Sequence, residues 1–251
     1  MTDVETTVTT TRAGAVATLT LTRPKALNAL THEMLAELGA ALEALSTDSS
    51  VRVVVLTGEG RAFSAGVDLK ALAAGRVDGG SVSDLLNDNA RNAIRLLTTI
   101  PKAVIARVNG FCFTGALELA LACDLIVVAD EAKLGDTHAK WGLRPTWGMS
   151  QRLIRAVGVA RARDLSFTAR TFSGQEAAAW GLAVSSVPLA DLDAAVADLA
   201  ASIVENSAGS IAAYKDLYRR ALDVGLEDGL TYEFTTSYPI ADAQERIAGF
   251  G

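Results

Sequence analysis

The sequence predicts an α/β protein in which parallel strands are joined by crossover helices. Apolar or β-branched runs occur at Val51 to Thr57, Ala103 to Val108 and Leu125 to Ala129. Between them lie segments whose apolar residues recur at helical spacing, so strand, helix and strand alternate three times. The runs lack polar alternation, as strands buried on both faces do.

At the N-terminus, Thr6 to Arg12 and Val16 to Thr22 are β-rich and separated by Ala-Gly, which predicts a hairpin. After Arg23-Pro24, Thr31 is a cap for a helix whose inner face is Met34, Leu35, Leu38, Leu42 and Leu45. The strand Val51 to Thr57 leaves into Gly58 to Lys70, a glycine-punctuated loop. Strand exits free backbone donors, so this loop is a candidate for ligand contacts. Gly75 to Gly80 reads as loose and exposed. A helix is expected from Ser83 to Thr99, with Leu86, Ala90, Ile94 and Leu97 along one face and Pro101 as its stop.

The stretch Asn109 to Asp124 follows the strand Ala103 to Val108, passes Gly110 and Gly115 and enters an Ala/Leu-rich segment. It reads as strand, tight turn, helix. Glu118 lies one turn into that helix, where a carboxylate is costly to bury unless it is used or paired. Leu134 to Ser150 reads as irregular, and its Asp136, His138, Trp141, Arg144, Pro145 and Trp147 suit the wall of a cleft. Ser173-Gly-Gln-Glu176 is a capping box for a helix closing at Gly181. Leu182 to Val187 is a last strand. Beyond Pro188 the pattern is helical, with Leu192, Val196, Leu199 and Ile203 on one face and further helices around Tyr214 to Leu222 and Leu226 to Tyr238.

Composition excludes several functions. A formal charge of −6 without a basic cluster argues against a nucleic-acid binder. No apolar run reaches the length of a membrane span. The Thr-rich start with Asp3 and Glu5 lacks the basic and apolar parts of a secretion signal, so a cytoplasmic location is expected. Cys112 and Cys123 are too far apart for a Cys-x-x-Cys site and have no neighbouring His, so they are expected as free thiols without a metal. No Gly-x-Gly-x-x-Gly follows an early strand, which argues against a dinucleotide-binding enzyme.

Four motifs in order resemble the crotonase superfamily, the enoyl-CoA hydratase/isomerase family, over nearly the whole chain. Arg23-Pro-Lys-Ala-Leu-Asn-Ala-Leu30 resembles its first CoA-contacting loop, and Ala62-Phe-Ser-Ala-Gly-Val-Asp-Leu69 its Ala-Phe-x-Ala-Gly-x-Asp-Leu signature. Asn109 to Asp124 resembles its Asn-Gly, Gly-x-x-Glu, Cys-Asp signature, and Gly174 to Val187 its Glu-Ala-x-x-x-Gly-Leu-Val segment. The resemblance implies a spiral of repeated ββα units with a helical C-terminal trimerisation region. Residues 1–190 would form the acyl-CoA-binding core, and 191–251 would pack on that core and on neighbouring subunits of a homotrimer or a hexamer.

It further implies an acyl-CoA thioester substrate, with coenzyme A as part of the substrate and no separate cofactor. The thioester oxygen would accept from the backbone N–H groups of Val67 and Gly115, and Glu118 would carry protons as acid or base. CoA contacts are expected from Arg23, Lys25, Ala26, Leu27, Ala65, Gly66, Asp68, Leu69 and Lys70, with Arg23, Lys25 and Lys70 as candidates for the phosphates. Phe63 and Trp141 are read as packing residues within reach of the acyl tail. The segment before Phe250 lacks the Lys-Arg tail of many relatives, so CoA contacts from such a tail are not expected.

One departure bears on the reaction. Hydratases of the family usually carry a second glutamate where His138 stands. An imidazole titrates near neutrality and suits the vacant proton-transfer role, with Asp136 two residues away to orient it. Three readings follow: hydration of a 2-enoyl thioester by Glu118 with His138, double-bond isomerisation with Glu118 as the single base, and acyl-CoA binding with little turnover.

Overall fold

A computed structural model describes residues 6–73 and 78–250. Asp3 and Glu5 of the Thr-rich start, and Gly75 of the expected loose stretch, lie outside the described residues. The N-terminal hairpin forms from β1 (Val8–Ala13) and β2 (Val16–Leu21), antiparallel from Val8↔Leu21 to Ala13↔Val16. Helix α1 (His32–Thr47) starts at Thr31, whose hydroxyl accepts from the Met34 N–H, and it buries the five apolar residues of its expected stripe. Strand β3 (Val53–Gly58) is buried throughout, in keeping with its β-branched composition.

The next segment, expected as a glycine-punctuated loop, has more regular structure than that. It contains the short strand β4 (Ala62–Ser64) and the helix α2 (Leu69–Ala73). Helix α3 (Asp84–Thr99) is capped by Ser83 and followed by β5 (Ala103–Val108). A second difference comes at the strand–turn–helix stretch, where β6 (Phe111–Phe113) intervenes before α4 (Gly115–Ala120). After β7 (Leu125–Ala129), the segment expected to be irregular opens on β8 (Lys133–Gly135).

Helices α5 (Met149–Val157) and α6 (Val159–Thr168) and the strand β9 (Phe172–Ser173) follow. The capping box at Ser173 and Glu176 opens α7 (Gly174–Ala179). The last strand, β10 (Ser185–Val187), is shorter than expected because the chain turns through Gly181 and Leu182 first. Helices α8 (Leu192–Val204), α9 (Ala208–Ala221), α10 (Leu226–Thr235) and α11 (Ala243–Ala248) complete the chain.

Two sheets result. The larger has the order β1-β2-β3-β5-β7-β10 and is parallel from β2 onward. Helix α1 packs on α3 and on the hairpin, while α8 covers β3, β5 and β7. The smaller sheet has the order β4-β6-β8-β9, with β4, β6 and β8 parallel. Each pair of a long and a short strand is one turn of a spiral, so the ends of the three short strands emerge side by side. Helix α9 is tied to the core by Lys215, whose Nζ donates to Leu97 O, Lys102 O and, at 2.7 Å, Asp124 Oδ2. Among the described residues no helix is long and apolar enough to cross a membrane.

Candidate active site

Three chain segments leave the carboxyl ends of β4, β6 and β8 and meet over an open cleft lined by Val67, Thr114, Glu118, Thr137, His138 and Trp147 among others. The first carries Val67. Leu30 donates its N–H to Gly66 O at 2.8 Å and accepts from the Asp68 N–H at 3.0 Å. The flanking residues thus make both bonds to Leu30, and the Val67 N–H is turned away from it. Gly66 has φ +88°, and a Cβ there would lie 2.6 Å from Phe113 O, so the turn admits no side chain.

The second segment carries Thr114, Gly115 and Glu118. Thr114 is a β-branched residue at φ 54°, ψ −114°, a conformation that costs on the order of 1–3 kcal/mol. Its N–H donates to Gly135 O at 2.9 Å and its hydroxyl shares a 2.6 Å hydrogen bond with Thr137, which hold the turn. As the first residue of α4, Gly115 has no intrahelical acceptor for its N–H.

Glu118 is 2% exposed. Its Oε1 accepts from the backbone N–H groups of Trp147 at 3.0 Å and Met149 at 2.9 Å. Burial pushes its carboxyl pKa up, outweighing those donors and the attraction of His138. This is the costly glutamate of the sequence, given two donors yet kept prone to protonation.

The third segment carries Asp136 and His138. His138 Nδ1 lies 2.6 Å from Asp136 Oδ1, and Asp136 Oδ2 accepts from the Ser166 hydroxyl of α6 at 2.7 Å. Burial alone would raise the Asp136 carboxyl, but the bonds from His138 and Ser166 prevail and hold it below the ordinary carboxylate range. An ionised carboxylate only accepts, which assigns the proton to Nδ1 and the lone pair of the neutral ring to Nε2. That Nε2 stands 3.6 Å from Glu118 Oε2.

The arrangement therefore offers two proton-transfer groups side by side, a carboxyl raised by burial and an imidazole with a fixed tautomer. Val67 lines the same cleft, and Gly115, whose N–H lacks an intrahelical acceptor, begins the helix that carries Glu118. A family model described as enoyl-CoA hydratase/isomerase matches residues 11–250. The chain belongs to the enoyl-CoA hydratase/isomerase family.

A probable peroxisomal enoyl-CoA hydratase from Arabidopsis thaliana is 36% identical over 95% of this chain and 91% of its own. The crystal structure of a putative enoyl-CoA hydratase from Thermobifida fusca in complex with CoA is 35% identical, with a TM-score of 0.82 over 96% of this chain and 93% of that one. A monofunctional enoyl CoA isomerase from M. smegmatis is 31% identical, with a TM-score of 0.77 over 92% and 99% of the two chains. Family membership thus spans relatives named for two reactions.

The remaining residues expected from the family motifs fall into groups. Ala65, Val67 and Leu69 line the cleft. Ala65 donates its N–H to Leu27 O at 2.9 Å, which lays the Arg23 to Leu30 loop, with Ala26 and Leu27, along the Val67 turn. Arg23 is committed within the chain, to Ala29 O at 2.6 Å and Asp68 Oδ2 at 3.2 Å, and so braces the two loops together. Lys25 and Lys70 are exposed on that side. Trp141 stands at the cleft wall, 52% exposed, whereas Phe63 is fully buried in the core.

Sequence reasoning missed Asn87 and Ser166. Asn87 had a signal: it shares the apolar stripe of α3 with Ala90, Ile94 and Leu97, and a polar group on such a stripe must find partners. Ser166 had none. Cys112 and Cys123 are free, with their thiol pKa values pushed up by burial.

Proposed function

We propose that the chain is an enoyl-CoA hydratase-like enzyme that adds water across the double bond of a 2-enoyl-CoA thioester. The observation that carries this reading is the facing pair Glu118 and His138, 3.6 Å apart in the cleft that Val67 also lines. Hydration needs two proton movements. His138 Nε2 takes a proton from water as its oxygen bonds to the β-carbon. The alkene electrons then move onto the thioester oxygen as an enolate, which the N–H groups of Val67 and Gly115 stabilise. Protonated Glu118 delivers its proton to the α-carbon and the enolate collapses. His138 is left protonated and Glu118 ionised, and transfer of the imidazolium proton to Glu118 restores both groups.

Coenzyme A enters as part of the substrate, a reading supported by the CoA-bound neighbour. Lys25 and Lys70 are proposed to face its phosphates. Isomerisation of a 3-enoyl to a 2-enoyl thioester is the second reading, favoured by the isomerase neighbour, because Glu118 alone could move a proton between carbons. Following both the loss of conjugated enoyl absorbance and the double-bond shift, in the native chain and Glu118→Gln, tests the assignment. Hydration abolished by Glu118→Gln is expected; equal rates in both proteins would overturn it, and acyl-CoA binding without either reaction would favour a binding protein.

We also propose self-association through the C-terminal helices, as a homotrimer or a dimer of trimers. Helices α9 and α10 leave Tyr218 66%, Leu226 77% and Phe234 92% exposed, large apolar side chains that packing against a second copy would cover. Residues 191–251 would then be the assembly region and 1–190 the acyl-CoA-binding core. Analytical ultracentrifugation distinguishes monomer, trimer and hexamer.

A further inference from the structure

We infer that Trp147 closes the acyl end of the cleft and restricts this protein to short enoyl chains, an inference that rests on the acyl-CoA reading above. Trp147 lines the cleft yet is only 4% exposed. Its ring covers the backbone of Gly115 so closely that a Cβ there would lie 2.5 Å from Cζ3 and 3.0 Å from Cε3. The backbone N–H of Trp147 donates to Glu118 Oε1 at 3.0 Å. The indole thus packs on an expected oxyanion donor while the same residue's backbone holds the proton carrier, which sets the ring near the reacting end of any acyl group bound there.

The ring is also held in place. Its Nε1–H donates to Asn87 Oδ1 at 2.9 Å, and the Thr146 hydroxyl donates to the same oxygen at 3.0 Å. Asn87 Nδ2 in turn donates to Ser81 Oγ and Val82 O, each at 3.1 Å. All of the amide's hydrogen-bonding capacity is used. Swinging the indole aside to admit a longer chain would leave Asn87 Oδ1 and the indole N–H short of partners in a buried setting. Val82 and Leu143 complete the apolar wall around it. A rigid aromatic beside the reacting carbons leaves room for few methylenes beyond them.

The test uses the full chain with trans-2-enoyl-CoA substrates of four, six, eight and ten carbons, and binding of the matching saturated acyl-CoAs by calorimetry. For the native protein, kcat/KM is expected to fall roughly tenfold or more from the four-carbon to the eight-carbon substrate, the scale by which a pocket rejects a few surplus methylenes. Trp147→Leu, and the milder Trp147→Met, should shrink that ratio about tenfold, and Trp147→Phe should keep it. A native protein that binds or turns over ten-carbon and four-carbon thioesters alike overturns the inference, as do folded Leu and Met variants with an unchanged profile. If no acyl-CoA of any length binds, the acyl-CoA reading itself fails. Where a variant does not fold, the native chain-length profile decides.

Discussion

His138 presents Nε2 to Glu118 Oε2 across 3.6 Å, too far for a hydrogen bond and close enough for one reacting group to touch both. Their roles are separable by mutation. Glu118→Gln keeps an oxygen for the Trp147 and Met149 N–H groups, so the fold should survive while turnover falls about 10²- to 10⁴-fold. His138→Gln should cost a similar factor. If the two act as one unit, the double variant will lose little more than either single one, which steady-state kinetics of the three proteins will check.

Asp136→Asn tests the tautomer. An amide placed against Nδ1 presents both donor and acceptor groups, so the imidazole proton is no longer confined to that nitrogen. We expect a fall in kcat on the order of 10²-fold or more with little change in KM. Ser166→Ala should have a smaller effect in the same direction, rescued by Ser166→Thr.

The two buried carboxyls predict opposite pH dependences of stability. Glu118 has its folded pKa raised by burial. Its favourable contribution is present below the unfolded value and is lost as pH rises through the folded one. Asp136 has its folded pKa lowered, despite burial, by bonds from His138 and Ser166. Its contribution is present above the unfolded value and is lost as pH falls through the folded one. Melting temperatures measured across acid to neutral pH should therefore show Glu118→Gln gaining on the native protein toward neutrality and Asp136→Asn losing ground.

Gly66→Ala places a methyl group 2.6 Å from Phe113 O at φ +88°. The backbone acceptor cannot rotate away as a side chain would, so the turn must shift. A stability loss of about 1–3 kcal/mol is expected from the strained backbone. Displacing the Val67 N–H should cost about 10²- to 10³-fold in kcat. Urea unfolding and initial rates measure the two effects separately.

Lys215→Met removes the cation paired with Asp124 Oδ2, which keeps the Val104 N–H, along with the donor to two carbonyls at the end of α3 and just before β5. Losing the ion pair at this exposed carboxylate together with the donor to two carbonyls should cost about 1–3 kcal/mol, read from urea unfolding. The same variant should loosen α9, and with it any assembly through the C-terminal helices.

The long buried strands were legible in the sequence and the short strands of the smaller sheet were not. The strands β3, β5 and β7 were found because several consecutive buried residues leave an unbroken apolar run. The strands β4, β6 and β8 have three residues each, too few for any periodicity, and their glycine-rich surroundings read as turns. Glu118 was legible because a carboxylate in an Ala/Leu helix is anomalous, and His138 because it departs from a motif. Ser166 was not, since a serine on a helix carries no mark of the carboxylate it will meet across the fold. Trp147 could be assigned to a cleft wall, but its lock on Asn87 depends on a residue sixty positions earlier.

Neighbouring strands in a sheet lie about 4.8 Å apart whatever their side chains. Because Val67, Glu118 with Gly115, and His138 each follow one of three adjacent short strands, the small sheet sets their spacing as a ruler would, at roughly 10 Å across the outer two. That interval is fixed by backbone hydrogen bonds and is indifferent to which side chain stands at its end. An imidazole or a carboxylate can therefore occupy that place without disturbing the distances. In such a framework, a change of reaction requires only a change of residue at the end of a strand.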